Sequence, residues 1–458
     1  MKRKIILALM ALTCASAMAF GLAACDTGGG NKKPGGNSSN TDPPNYPPPN
    51  NESSELLNFE LSEDKKSYIV TGLADGVTNA NITIPAVYNS LPVTEIGERA
   101  FGSCHTLTSV TISSGITTIG SGAFTDCINI PTFKFPASIT KIDDSAFQNC
   151  SGLRALRFSD GSLLEEISSN AFQNCTALSA IDIPDNVVTV GDRVFQGCSA
   201  LKSVKIGDGV EAIGVETFRG CTKLAKVEIG NSLKTVGEKA FLNCTEITEM
   251  HFPLSLESVG LGALDGCTGI KTLTLPFVGS EKYDEPVPAD KEYSSDNHTN
   301  FGYIFGASSF HDNNKLTLDN LETLTITGDS PIGYHAFQSI GRFADSTETK
   351  GIGLKTVIIT GSVKVIGTGA FQGCFNLQTL VIPKSVTKIG SEILEPGVIK
   401  HVYYEGTKAD WSNVDVNSAN MALLGTSGTD PRYYYSETQP AESGKFWHYV
   451  DGEPTPWN

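Results

Sequence analysis

The chain has 458 residues, 50 acidic against 34 basic, and a formal net charge of -16. Residues 1–25 hold three basic side chains and no acidic one, so the remainder carries -19. This balance excludes a nucleic-acid binder, whose phosphate contacts need a basic footprint, and it excludes docking on anionic lipid by charge.

Lys2, Arg3 and Lys4 open the chain, an apolar run follows from Ile5, and small residues lead to Leu22-Ala23-Ala24-Cys25. That is the three-part layout of a secretory signal over residues 1–25. The run is too short and its side chains too small for a comfortable spanning helix. The final four residues resemble a bacterial lipobox, which implies cleavage before Cys25 and a diacylglycerol on its sulfur. Residues 26–55 contain Gly28-Gly29-Gly30, Gly35-Gly36, Pro43-Pro44 and Pro47-Pro48-Pro49, with Ser and Asn between. Glycine segments coil and proline runs extend, so a flexible tether is expected. Lipid and tether together predict an extracytoplasmic, membrane-anchored protein on a bacterial cell surface.

Residues 56–95 read as an N-terminal cap and a first strand. From 96 to 400 one unit recurs. Ile96–Thr118 reads IGERAFGSCHTLTSVTISSGITT and Ile119–Lys141 reads IGSGAFTDCINIPTFKFPASITK. The period is 23 residues, with one unit of 25 (IDDSAFQNCSGLRALRFSDGSLLEE). The pattern is interrupted at 278–300, is degenerate over 301–331, returns at Ile332 and Ile366, and fades at Ile389. Such a repeat overrides the two or three domains that the length alone suggests.

Each column of the unit has a physical meaning. Position 1 is Ile or Val. Position 2 is usually Gly, where the backbone turns or approaches a neighbour. Position 6 is Phe in most copies, including Phe101, Phe124, Phe147, Phe172, Phe195, Phe218, Phe241, Phe337 and Phe371. Position 12 is Leu or Ile, and positions 15 and 17 are apolar around a polar residue, the alternation of a half-buried strand. No unit can bury its own apolar residues, but stacked units bury one another's. The expected fold is a leucine-rich-repeat solenoid. It has a parallel β-sheet on one face, short irregular or turn segments on the other, and β-rich terminal caps.

The run IG-x-x-AF-x-x-C-x-x-L-x-x-V-x-IP resembles the BspA-type leucine-rich repeat of bacterial surface proteins, over roughly residues 82–400. Leu56–Pro85 resembles the N-terminal cap of such proteins, and the aromatic-rich 401–458 resembles their C-terminal end. The resemblance implies adhesion to host or neighbouring-cell components.

Position 9 is Cys104, Cys127, Cys150, Cys175, Cys198, Cys221, Cys244, Cys267 and Cys374. A metal array, a chain of disulfides and a buried ladder are the alternatives. No CxxC pair exists, so no zinc site of usual spacing is supported. Stacked cysteines fall within disulfide range, but their side chains run parallel, and nine is an odd count. A ladder of free thiols that satisfies backbone groups inside each coil is the favoured reading.

The polar residue between positions 15 and 17 points outward: Thr111, Lys134, Arg157, Asp182, Lys205, Glu228, His251 and Thr274, then Thr325, Ile358 and Val381. A second outward column contains Lys226 and Glu249. Solenoids bind along such faces, so these residues form the candidate ligand face; a merely solvated face is the bland alternative. Tyr283 and Tyr293 in the 278–300 insertion are candidate loop contacts. The C-terminal aromatics either bind glycan or cover the last coil, and covering is favoured.

The seven histidines are scattered, none lies in HExxH or a Ser-His-Asp motif, and GSG at 120–122 belongs to a turn column. No catalytic residue, cofactor or metal is therefore expected. The expected partner is a protein or glycan on a host or neighbouring-cell surface. Two further readings remain, an envelope spacer without its own ligand and a carbohydrate-active enzyme using the 278–300 loop.

Overall fold

A computed structural model describes residues 54–457, except 79, 283–298, 317, 341–352, 396, 427–429, 442–443 and 452. The protein is a parallel β-solenoid of about 14 turns with little helix. Each regular coil supplies one strand of three or four residues, such as Ser203–Ile206, from positions 14–17. In that strand Val204 and Ile206 are buried and Lys205 is exposed, as alternation requires. The next coil repeats the strand 23 residues on, with Lys205 opposite Glu228 and Ile206 opposite Ile229.

A second sheet, which the sequence pattern does not announce, runs alongside. It is made of two-residue strands at the junction of consecutive units, among them Thr118–Ile119, Lys141–Ile142 and Ala212–Ile213. Their Ile and Val side chains are the position-1 column. The antiparallel pair Leu57–Leu61 and Tyr68–Leu73 starts this sheet, with Val70 opposite Ile96. Gly at position 2 follows directly. A Cβ on Gly214 would lie 2.4 Å from the Gly191 carbonyl carbon and 2.6 Å from the Asp192 nitrogen, so close backbone approach decides this column.

The third side of each coil is a run of turns. Position 8 takes a left-handed backbone at Asp126, Asn149, Asn174, Gly197 and Asn243, residue types that tolerate it. Position 4 does the same at Arg99, Arg193, Glu216 and Lys239, where no such preference helps. Inter-coil hydrogen bonds hold it there. The Arg99 N–H donates to the Ser121 carbonyl at 2.8 Å, and the Arg193 N–H to that of Val215 at 2.8 Å.

The phenylalanines form one interior stripe. From Phe101 through Phe124, Phe147, Phe172, Phe195 and Phe218 to Phe241, successive rings stack 5.1 to 5.6 Å apart and within 14° of parallel. Leu264 interrupts the stripe, which resumes from Phe301 to Phe337 and Phe371. The FGYIFGASSF segment keeps a coil's place as two 3-10 turns, Phe301–Phe305 and Phe310–Lys315. Leu264 donates to the Ile304 carbonyl, and Phe301 to that of Ala336. Thr272 accordingly pairs with Thr323, across the long insertion, and Thr323 with Thr356, across a second lengthened coil that contains 341–352.

The cysteines form the expected ladder. All nine are free, and eight are buried. Each buried thiol donates to the carbonyl of the stripe residue in the coil before, Cys127 to Phe101 at 3.0 Å, Cys198 to Phe172 at 3.3 Å and Cys374 to Phe337 at 3.2 Å. Each of those carbonyls also accepts a backbone N–H of its own turn, as Phe101 does from Cys104 at 3.1 Å, so the thiol adds a second hydrogen bond, between coils, worth about 0.5–1.5 kcal/mol. Burial, first among the causes, pushes the Cys127, Cys198 and Cys374 thiols up to about 12.

The strand face is not one continuous sheet. It is unbroken from Glu249–His251 to the C-terminal hairpin, but the ladder lapses at three earlier junctions. The lapses follow strands Ser109–Ile112, Ala155–Phe158 and Lys226–Ile229. At the first of them position 13 is Pro131, which has no N–H to donate to the coil before. Among the described residues no helix is long and apolar enough to cross a membrane.

Candidate functional site

The strand face carries the predicted ligand residues outward. Thr111, Lys134, Arg157, Asp182, Lys205, Lys226, Glu228, Glu249 and His251 are exposed, and Thr274 is half-buried. Cross-coil register aligns Lys134 with Arg157, Asp182 with Lys205, and His251 with Thr274. The His251 ring nitrogen Nδ1 lies 2.9 Å from the Thr274 hydroxyl. Lys226 and Glu228 sit two residues apart on one strand and pair at 2.5 Å. Each favours the other's charge, so the Lys226 ammonium is held up and the Glu228 carboxyl down, with the side-chain hydrogen bond first among the causes. Cys25, Tyr283 and Tyr293 lie outside the described residues.

The outward column does not stay open. Ile358 is half-buried and Val381 wholly buried, although both occupy the position that is exposed in the central coils. Trp447 covers them. Its ring packs 5.2 Å from that of Tyr403, and its indole N–H donates to the Tyr404 carbonyl at 2.9 Å. Val381, Tyr403 and Trp447 form a small core of their own outside the sheet. The C-terminal aromatics therefore cover the strand face itself at that end, and the open face stops short of them.

The face is indented at the 25-residue unit. Strand Ala155–Phe158 makes no ladder with Ala180–Asp182, although both stand in register with their other neighbours. The two coils still touch where the Ser179 N–H donates to the Arg154 carbonyl at 3.3 Å, and then diverge. A cleft of about 1020 Å³ opens between them. The turn at its end, Ser159-Asp160-Gly161-Ser162, is where this unit carries its two extra residues. Leu156 and Phe158, whose equivalents Ile181 and Ile183 are buried, are only half-buried here. Phe158 still stacks on Phe135 at 4.8 Å.

The predicted Lys134, Arg157, Asp182 and Lys205 all line this cleft. Column reasoning missed Arg154, which lines it from position 13. The signal available was the one unit whose length departs from 23 residues. Among the described residues Lys134, Arg154, Arg157 and Lys205 make no ion pair, whereas Lys141, Arg193, Arg219, Lys226, Lys234 and Lys239 all do. No group of three His, Cys, Asp or Glu side chains among the described residues is placed to hold a metal ion.

The chain was compared with known proteins. No curated protein matches it in sequence. Many solved structures resemble it in fold. A leucine-rich-repeat protein of T. pallidum is 26% identical, over 42% of this chain and 89% of that one, with a TM-score of 0.39. One of Bacteroides ovatus is 20% identical, over 80% of this chain and 97% of that one, with a TM-score of 0.42. A leucine-rich cell-surface protein of Faecalibacterium prausnitzii is 22% identical, over 79% and 97%, with a TM-score of 0.40. The family model described as the BspA type leucine rich repeat region matches in six copies, over residues 78–201, 165–282 and 342–408. Because those matches span more than half of the sequence, and the Phe stripe and Cys ladder they contain are built as the repeat demands, the chain belongs to the BspA-type leucine-rich-repeat family.

Proposed function

We propose that this protein binds a protein or glycan through the open part of its strand face, and that a lipid on Cys25 displays it at the cell surface. The observation that carries the binding reading is the contrast within one column. From Thr111 to His251 the outward positions are polar, charged and exposed, while the same column from Ile358 onward is apolar and roofed by Trp447. A fold that merely spaced two points apart would have no use for the difference. The basic start, short apolar run and Leu22-Ala23-Ala24-Cys25 support the anchor, and the Gly- and Pro-rich 26–55 supports a stand-off from the bilayer.

The test is binding of the full chain to a panel of matrix proteins and glycans. It is repeated with Lys134, Arg157 and Lys205 changed to Glu, and separately with Lys226, Glu228 and Glu249 changed to Ala. Binding that falls in either set supports a strand-face site. A panel without binders, or binders indifferent to both sets, would favour the spacer reading. Growth with a radiolabelled fatty acid is expected to label the chain, and Cys25→Ala to abolish the label. An unlabelled chain, or a label that persists in Cys25→Ala, refutes the anchor.

A further inference from the structure

The cleft at the 25-residue coil has features that a solvated groove does not need. Four cations, Lys134, Arg154, Arg157 and Lys205, gather around it without ion-pair partners among the described residues, in a chain of net charge -16. Elsewhere among the described residues about half of the basic side chains sit in an ion pair, so four without one around a single groove concentrate unmatched positive charge there. Unpaired guanidinium groups facing one groove are suited to planar, two-pronged contact with a carboxylate. The same lining is also acceptor-rich. Asp160, Asp182 and Asp185 bring carboxylates, and Ser159, Ser162 and Ser179 bring hydroxyls. The half-buried Leu156 and Phe158 add an apolar strip.

A ligand that satisfies all three must carry an anion for the Arg and Lys side chains, several O–H donors for the Asp carboxylates, and a C–H surface for the strip. An acidic sugar has all of these on one ring. A neutral sugar leaves the guanidinium groups unmatched. An acidic peptide supplies the anion and N–H donors, but spreads its carboxylates, donors and apolar carbons over several residues where a uronic acid carries all three on one ring. A peptide strand also cannot be added to the sheet here, because the Ser179-to-Arg154 hydrogen bond closes one end of the gap.

We propose that the cleft between strands Ala155–Phe158 and Ala180–Asp182 is a subsite for a uronic-acid unit of an acidic polysaccharide. This rests on the strand-face binding reading and narrows it to a place and a ligand class. Arg154 and Arg157 grip the sugar carboxylate, Lys134 and Lys205 raise the local positive potential, and Asp182 accepts from ring hydroxyls.

The probe is polygalacturonate, compared with the same polymer fully methyl-esterified and with poly-glutamate, each added to the full chain at about 0.1 M salt. Polygalacturonate is expected to bind, and esterification to weaken it by roughly tenfold or more, the loss of one charge-assisted contact. Arg157→Gln combined with Lys205→Gln is expected to produce a similar loss, while Lys364→Gln, exposed and outside the cleft, leaves binding unchanged. Equal binding of the esterified polymer overturns the proposal, as does indifference to the double variant. Binding of poly-glutamate alone overturns the sugar assignment in favour of an acidic peptide. If polygalacturonate fails while a panel protein binds in a manner sensitive to Lys226, Glu228 and Glu249, the subsite falls and the strand-face reading stands. If nothing binds that depends on any outward residue, both fall.

Discussion

Alkaline pH should weaken this solenoid through its buried thiols. The Cys127, Cys198 and Cys374 thiols are pushed up to about 12, mainly by burial, against about 8.5 in an unfolded chain. A group whose pKa is higher when folded releases its proton first from the unfolded state. Its contribution is therefore complete below about pH 8.5 and declines as pH rises toward about 12. Within that window each such thiol removes about 1.4 kcal/mol of stability per pH unit, so at pH 10 one thiol has removed about 2 kcal/mol and the three about 6 kcal/mol. Five more buried cysteines act in the same direction. Domains are ordinarily stable by about 5–15 kcal/mol, so the effect is decisive. The assay is denaturant unfolding, followed by far-ultraviolet circular dichroism under reducing conditions, at a series of pH values between 7.5 and 10. Changing Cys127, Cys198 and Cys374 to Ala together lowers stability at pH 7.5, because three buried side chains are truncated and three thiol-to-carbonyl hydrogen bonds between coils are lost. It should nonetheless flatten the fall of stability with pH by about 4 kcal/mol per unit, the share of three protons. Comparing slopes separates the two effects. Identical slopes in the two proteins would refute the ladder's role, and so would disulfides found by mass spectrometry among the nine cysteines.

Three other outcomes follow from the packing. Phe195→Ala empties a fully buried site between Phe172 and Phe218, with rings 5.6 and 5.4 Å away, and should cost about 3–5 kcal/mol in thermal or denaturant unfolding; a loss below 1 kcal/mol would mean that the stripe is not a shared core. Gly214→Ala sets a methyl group 2.4 Å from the Gly191 carbonyl carbon, and the backbone around it is pinned by inter-coil hydrogen bonds. It should destabilise as strongly as a core truncation, although it adds only one carbon, while Gly102→Ala, whose Cβ would meet nothing nearer than the Arg99 carbonyl oxygen at 3.4 Å, should cost far less. Trp447→Ala should uncover Val381 and Tyr403 and make the hairpin Phe446–Pro456 sensitive to limited proteolysis, leaving the central coils protected; unchanged cleavage would place the covering energy elsewhere.

Uronate binding and the alkaline slope report on different parts of one molecule. Residues Lys134, Arg154, Arg157 and Lys205 lie outside the coil, and the thiols lie within it. Arg157→Gln should therefore alter ligand affinity without changing the pH slope, and the triple cysteine variant should do the reverse.

The repeating columns were enough to specify the coil. Phe101 to Phe241 share one stripe, and each buried cysteine meets a carbonyl of the coil before, because these contacts join the same positions of adjacent copies and so are written into the period itself. The two-residue strands were silent in the sequence because an alternation that short leaves no pattern, and the left-handed backbone at Glu216 and Lys239 was silent because their residue types disfavour it and only the hydrogen bonds between coils impose it. Tertiary structure alone decided where the outer face opens and where it is covered. The cleft exists because one coil is longer than its neighbours and their strands part beside Arg157 and Asp182, and the face closes over Val381 because Trp447 returns to it from beyond the repeats. Both depend on how one particular coil meets a particular neighbour or a distant segment, and a period records only what every coil has in common.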